Sequence, residues 1–168
     1  EIVLLVCGGL GLLLVAGIGW LDDHRPLSPW PKLAVHVLSS AWLAAGFYLS
    51  GAEPHVAGLV FVIALMLVNL WNFMDGIDGL ASTQAMLVAA AFVWLGGDVA
   101  AVHVGLALIA SLFGFLPFNF PRARIFLGDV GSGALGYLLA WLAGSALQTL
   151  PSTAWPLLLL PPSAFLLD

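Results

Sequence analysis

The sequence is short of charge. Four basic and nine acidic side chains among 168 residues make only 8% of positions charged, against about a quarter in soluble domains, and too few remain to build an ordinary water-facing surface. Cysteine is nearly absent. Cys7 stands alone, which excludes an internal disulfide or a thiolate metal cluster and leaves core packing as its expected role. The four histidines, His24, His36, His55 and His103, include no i, i+4 pair of the zinc type. They read as structural or interfacial, with His36 set apart because it lies one turn beyond Lys32. No internal repeat is evident. The sequence begins at Glu1 without an initiator methionine and stops at Asp168 just after "AFLL", so it reads as a piece of a longer chain.

Hydrophobicity is what the chain has in excess, at 62% of residues and a mean hydropathy of +1.10. A secretory signal would give one short apolar core near the N-terminus, whereas here apolar runs recur along the whole length and belong to the mature fold. The expected fold is all-α, a polytopic integral membrane helix bundle forming a single transmembrane domain over 1–168. A helix needs about 20 apolar residues to cross a hydrocarbon core of about 30 Å. Seven segments approach this, roughly Ile2 to Leu21, Leu33 to Ser50, Val56 to Trp71, Leu80 to Leu95, Val99 to Phe118, Gly131 to Leu147 and Ala154 to Leu167. The seven tryptophans suit packing and interface anchoring.

The connecting segments are rich in Gly, Pro, Asn, Asp and Ser. Successive helices joined by short loops alternate in direction, so the first, third and fifth loops share one membrane face. Those are "DDHRPLSPWPK", "NFMDGIDG" and "NFPRARIFLGDV", which hold Asp22, Asp23, Asp75, Asp78 and Asp129. Three acidic clusters distant in sequence are thereby expected to meet. Arg25, Lys32, Arg122 and Arg124, the complete set of basic residues, lie on the same face, and the positive-inside rule makes it cytoplasmic. The third and fourth segments have only about 16 clean apolar residues, or roughly 24 Å of helix. The Asp75 to Asp78 loop is therefore expected to sit recessed, which irregular backbone tolerates only when buried in protein or lining a watery cavity.

Each cluster alone has a plain reading. Asp22 and Asp23 can simply end a helix, and "DGIDG" can be an Asx-type turn with permissive glycines. An EF-hand is excluded because its D-x-[DN]-x-[DN]-G spacing and distant glutamate are missing. "GSGALG", Gly131 to Gly136, matches G-x-G-x-x-G, but it opens a membrane helix without the required preceding strand and βαβ unit. What survives is local: Gly131, Ser132 and Gly133 at a helix start, where free N–H groups and the dipole favour phosphate. Taken together the clusters say more. Polar residues at membrane depth default to a functional role, five neighbouring aspartates repel one another, and carboxylate and amide oxygens are the ligands that Mg²⁺ prefers. Metal beside a phosphate-friendly helix start points to phosphoryl chemistry.

"LDDHRPLSPWPKL", "NLWNFMDGIDGLA" and "FNFPRARIFLGDVGSGALG" together resemble the polyprenyl-phosphate N-acetylhexosamine-1-phosphate transferases (glycosyltransferase family 4), the family that includes phospho-N-acetylmuramoyl-pentapeptide transferase. The resemblance covers Leu21 to Gly136, and N-x-x-N-x-x-D-G-x-D-G-L with F-x-G-D-x-G-S is specific in combination. It implies transfer of a sugar-1-phosphate from a UDP-activated N-acetylhexosamine to undecaprenyl phosphate with release of UMP, the initiating step of O-antigen, teichoic acid or peptidoglycan-type synthesis. The implied cofactor is Mg²⁺, with Mn²⁺ as the alternative. By the same resemblance the catalytic candidates are Asp22, Asp23, Asp75 and Asp78, and Asp129 and Asp75 are the metal ligands. The substrate-binding candidates are Lys32, Asn69, Asn72, Arg122, Arg124, Gly131 and Ser132. The implied partners are undecaprenyl phosphate, the UDP-sugar and the lipid bilayer, with a homodimer left open and no nucleic acid. The implied location is the bacterial inner membrane with the active-site loops cytoplasmic. Further helices are expected before Glu1 and a histidine-containing loop after Asp168. No longer polar insertion is present, which favours a simple N-acetylhexosamine over a muramoyl peptide.

Charge arithmetic runs the same way. A lipid monophosphate carries about -1.5 to -2, a nucleotide-sugar diphosphate adds as much again, and four basic residues against five aspartates leave the face slightly negative. A divalent ion resolves this. The rival readings fare worse. A transporter or channel using intramembrane aspartates wants its acids at mid-helix. "LGD" is similar to the G-x-G-D of intramembrane aspartyl proteases, but Phe126 stands where that motif needs glycine. The D-G-x-x-A-R of CDP-alcohol phosphotransferases is not matched, since Asp78-Gly79 continues as Leu-Ala-Ser.

Overall fold

Uncharged apolar runs in lipid must satisfy their backbone groups internally, and helix is the local solution. The computed structural model describes residues 2–159 and residue 162. It has α1 (Ile2–His24), α2 (Pro29–Leu49), α3 (Pro54–Met74), α4 (Leu80–Leu95), α5 (Val99–Asn119) and α6 (Gly128–Thr149), then a 3₁₀ helix at Ser152–Leu159. There is no strand among the described residues. Proline opens α2 and α3 in the first turn, where the missing N–H has no intrahelical partner to lose. Asp98 caps α5, its Oδ1 accepting from the Ala101 N–H at 2.7 Å, as an N-cap carboxylate does.

Five helices, α1, α2, α3, α5 and α6, are long and apolar enough to cross a membrane, and the chain is a polytopic membrane helix bundle. Two expectations need correction. The third segment is not short: α3 has 21 residues, or about 31 Å, because the helix begins at Pro54 and runs on through Asn72, which is bonded to Ser132 of α6, to Met74. Only α4, with 16 residues, remains short. The sixth segment starts at Gly128 and not at Gly131. Half of the seventh, Ala154 to Leu167, falls outside the described residues, and its described stretch Ala154 to Leu159 lies in the 3₁₀ helix. The described residues therefore hold six α-helices where seven segments were expected.

α6 is the axis of the bundle. Of its apolar window 78% is buried, against 22% for α5, and it packs on α1, α3, α4 and α5, while α2 fills the angle between α1 and α3. Its composition explains this position. Glycine, alanine and serine let backbones approach where lipid gives no hydrophobic drive between helices. A Cβ on Gly19 of α1 would stand 2.5 Å from the Asp129 carbonyl, and one on Gly136 would overlap the Leu67 carbonyl of α3. These two contacts seat the ends of α1 and α3 against the start of α6, where the site forms.

Candidate active site

The odd-numbered loops do converge. Asp22 and Asp23, in the last turn of α1, turn to different partners. Asp22 Oδ1 accepts from the Leu27 N–H at 2.7 Å and Oδ2 from Lys32 Nζ at 2.9 Å. The same ammonium donates to Asp129 Oδ2, so Lys32 bridges the end of α1 and the first turn of α6. Asp23 reaches the backbone: its Oδ1 accepts from the Asp129 N–H at 2.9 Å and its Oδ2 from the Val130 N–H at 3.3 Å. A carboxylate at a helix N-terminus satisfies orphan donors and the dipole together. Asp23 thus does for α6 what a local N-cap would do. Gly128 makes room for it, with φ +62° and a would-be Cβ only 2.6 Å from Asp23 Oδ2.

That geometry corrects the expected phosphate nest at Gly131 to Gly133. The helix start lies three residues earlier, Asp23 takes the N–H groups of Asp129 and Val130, and the Gly131 N–H returns to the Leu127 carbonyl at 3.0 Å. Ser132 is fully buried, and its hydroxyl accepts from Asn72 Nδ2 at 3.2 Å. Gly131 lines a groove between α5 and α6, and Ser132 stands buried behind Asn72, so neither lines the cavity beside the acidic cluster.

Asp75 follows α3 directly and faces the same cluster. Burial, then the charges of Asp129 and Asp23, push its carboxyl up to about 6, against the opposing Gly128 N–H. Asp78, exposed in the same loop, accepts from the Ala123 N–H at 2.9 Å and so ties the third loop to the fifth. Sequence reading missed the residue that makes this tie rigid. Asn119, 4% exposed, accepts at Oδ1 from the Gly79 N–H at 3.0 Å and from Ser82 Oγ at 3.3 Å, and donates from Nδ2 to the Ile125 carbonyl at 3.0 Å. The signal was present as a lone amide between Phe118 and Phe120 at the end of an apolar run. Arg122 and Arg124 are exposed in the fifth loop and have no carboxylate partner among the described residues. The Arg124 guanidinium lies 5.8 Å from the Phe118 ring centroid.

Between α2 and α3 a cavity of about 430 Å³ opens beside this cluster. Lys32, His36, Asn69 and Asn72 give it a polar wall; Leu27, Trp30, Leu33 and Phe73 give it an apolar one. Asn69 Oδ1 lies 3.3 Å from His36 Nδ1, and Asn69 Nδ2 donates to the Leu65 carbonyl at 2.7 Å. A second, apolar groove of about 280 Å³ along α3 shares Asn69 and Phe73 with it.

The donor chemistry fits Mg²⁺. Among the described residues no three carboxylate, imidazole or thiol groups form a ligand cage, but Mg²⁺ is commonly held by one or two carboxylates and completes its shell with water and substrate phosphates. Asp129 and Asp75 offer hard oxygens, and the Asp75 carboxyl, raised first by burial and then by the charges of Asp129 and Asp23, stands in a negative field that a cation would relieve.

Fold and site together define a polytopic membrane protein with an acidic, lysine-bridged site at the helix ends of one face, opening onto an apolar-walled cavity. The acids stand at helix ends and not at mid-helix, unlike the arrangement expected of a channel. The chain belongs to glycosyl transferase family 4, whose family model matches residues 5–146. It is 32% identical over 162 residues to the phospho-N-acetylmuramoyl-pentapeptide-transferase of Streptococcus thermophilus, covering 79% of this chain and 46% of that protein. The Streptococcus pneumoniae protein of the same name is 35% identical over 151 residues, covering 77% and 46%. The decaprenyl-phosphate N-acetylglucosaminephosphotransferase of Mycobacterium tuberculosis is 29% identical over 167 residues, covering 84% and 41%. The chain thus spans less than half the length of these relatives.

Proposed function

We propose that the protein to which this chain belongs transfers an N-acetylhexosamine-1-phosphate from a UDP-sugar to a polyprenyl phosphate such as undecaprenyl phosphate. UMP leaves, a lipid-linked diphosphate sugar forms, and the reaction runs at the cytoplasmic face of the bacterial inner membrane as an initiating step of cell-envelope polysaccharide synthesis. The observation that carries this reading is the meeting of three acidic loops at Asp129, beside a cavity polar at Lys32 and Asn72 and apolar at Trp30, Leu33 and Phe73. That pairing of walls suits an amphiphile with a phosphate head, and the adjoining groove along α3 suits its hydrocarbon chain. The names of the relatives, phospho-N-acetylmuramoyl-pentapeptide-transferase and decaprenyl-phosphate N-acetylglucosaminephosphotransferase, share transfer of a phosphorylated N-acetylated sugar.

In the proposed reaction an oxygen of the acceptor phosphate attacks the sugar-bearing phosphorus of the UDP-sugar. The bond from that phosphorus to the bridging oxygen breaks, and UMP departs with the electron pair. The acceptor phosphate is largely ionised at pH 7, so no residue is required to remove a proton. Lys32 meets the acceptor phosphate, Asn72 orients it across the cavity, and Asp22 and Asp23 hold Lys32 and the start of α6 in place. Mg²⁺, held by Asp129 and Asp75, supplies charge neutralisation for the phosphates when bound. The test is an assay of the full-length protein in membranes with UDP-N-acetylhexosamines and undecaprenyl phosphate, with and without Mg²⁺. Mg²⁺-dependent UMP release is expected; no release with any sugar rejects the reading.

A further inference from the structure

His36 lies inside α2, 5% exposed, at a depth where an ionisable side chain is costly and is by default tied to function. Its partner is Asn69 of α3, at 3.3 Å from Nδ1. Because Asn69 spends its N–H₂ on the Leu65 carbonyl at 2.7 Å, its Oδ1 is the acceptor, and His36 Nδ1 carries the proton and donates it. The bond joins the two helices that form the cavity. One turn before His36 on α2 stands Lys32, and one turn after Asn69 on α3 stands Asn72, which is itself fixed to Ser132 of α6. Between membrane helices hydrogen bonds and close packing set the geometry, since lipid provides no hydrophobic drive.

We propose that His36 is a positioning residue for the acceptor side of the site: through Asn69 it fixes α3 against α2, and with them the separation of Lys32 and Asn72 across the cavity mouth. This rests on the transferase reading. The acceptor side is meant because the same cavity is lined by Trp30 and Phe73, 77% and 84% exposed, an apolar surface suited to a lipid phosphate and not to a nucleotide.

Two measurements on the full-length protein decide it. In kinetics, His36→Leu raises KM for the polyprenyl phosphate about fivefold, the worth of one neutral hydrogen bond, and leaves kcat and KM for the UDP-sugar within about twofold. His36→Gln, whose amide can still donate to Asn69 Oδ1, restores most of the loss. A fall in kcat with both KM values unchanged, or equal loss from the Leu and Gln variants, overturns the proposal. In thermal unfolding in detergent, the losses from His36→Leu and Asn69→Ala are expected to be non-additive in the double variant; simple addition overturns it. If the wild type releases no UMP, the transferase reading fails, while the thermal cycle still decides whether His36 acts through Asn69.

Discussion

Asp23 and Asp129 lie 106 residues apart, yet the carboxylate of the first accepts a hydrogen bond from the backbone N–H of the second at 2.9 Å. The end of α1 therefore determines where α6 begins and where the Asp129 side chain stands. Removing the carboxylate should act as loss of a helix cap. Asp23→Ala is expected to cost about 1 kcal/mol and up to about 2, measured by thermal unfolding in detergent. Asp23→Asn, which keeps an acceptor oxygen, should cost less than half as much. Equal losses would show that the dipole and charge, not the hydrogen bonds, dominate.

Gly128 makes that capping contact possible. Gly128→Ala places a Cβ at positive φ and within 2.6 Å of Asp23 Oδ2. The strained dihedral alone should cost about 1 kcal/mol or more, and the displaced carboxylate should add to it. An unaltered melting temperature would show that the α5–α6 loop relaxes freely.

Asn119 is buried and makes three side-chain hydrogen bonds, so its loss should be larger than that of a surface amide. Asn119→Leu strands the Gly79 N–H and the Ile125 carbonyl and is expected to cost about 2 to 3 kcal/mol. Limited proteolysis should then cut in the Asp75 to Asp78 loop or in residues 120–127 sooner than in the wild type. Unchanged protection of both loops would remove Asn119 from its bracing role.

For the proposed reaction, Asp129→Asn should lower UMP release at least about 100-fold, the scale of losing one transition-state electrostatic contact, while most of the protein remains folded by detergent size-exclusion. Retained turnover would take Asp129 out of the metal site.

Asp75 gives a pH dependence with a definite sign. Its carboxyl rises from 3.8 to about 6 on folding, first through burial and then through Asp129 and Asp23. Between those values the folded state holds a proton that the unfolded state has lost, so the stability linked to Asp75 falls as pH rises through that window and levels off above it. In Mg²⁺-free buffer the melting temperature should decline from about pH 4 to 6, and Asp75→Asn should flatten that decline. A slope unchanged in the variant would assign the titration to another group.

Much of this was legible in the residues. Recurrent apolar runs near the length of a membrane span announced the helices, and alternation of short loops brought Asp22, Asp23, Asp75, Asp78 and Asp129 to one face from residue order alone. The boundaries were less legible. Asn72 read as lying beyond the end of a helix because an amide in lipid needs a partner, and that partner, Ser132, lies on another helix. Asn119 was overlooked for the same reason: its three bonds connect segments whose adjacency only the folded chain creates.

The sequence by itself determined the class of protein, because hydropathy, loop parity and a specific set of motifs are properties of residue order alone. Five aspartates with one side-chain chemistry could not be told apart there. Tertiary structure divided their labour, placing Asp22 against Lys32, Asp23 on the N-terminus of α6, Asp78 on the Ala123 backbone, and Asp75 in the buried negative field around Asp129. A carboxylate's role follows from the donor or charge that packing brings within about 3 Å of it, and that neighbour comes from a distant part of the chain.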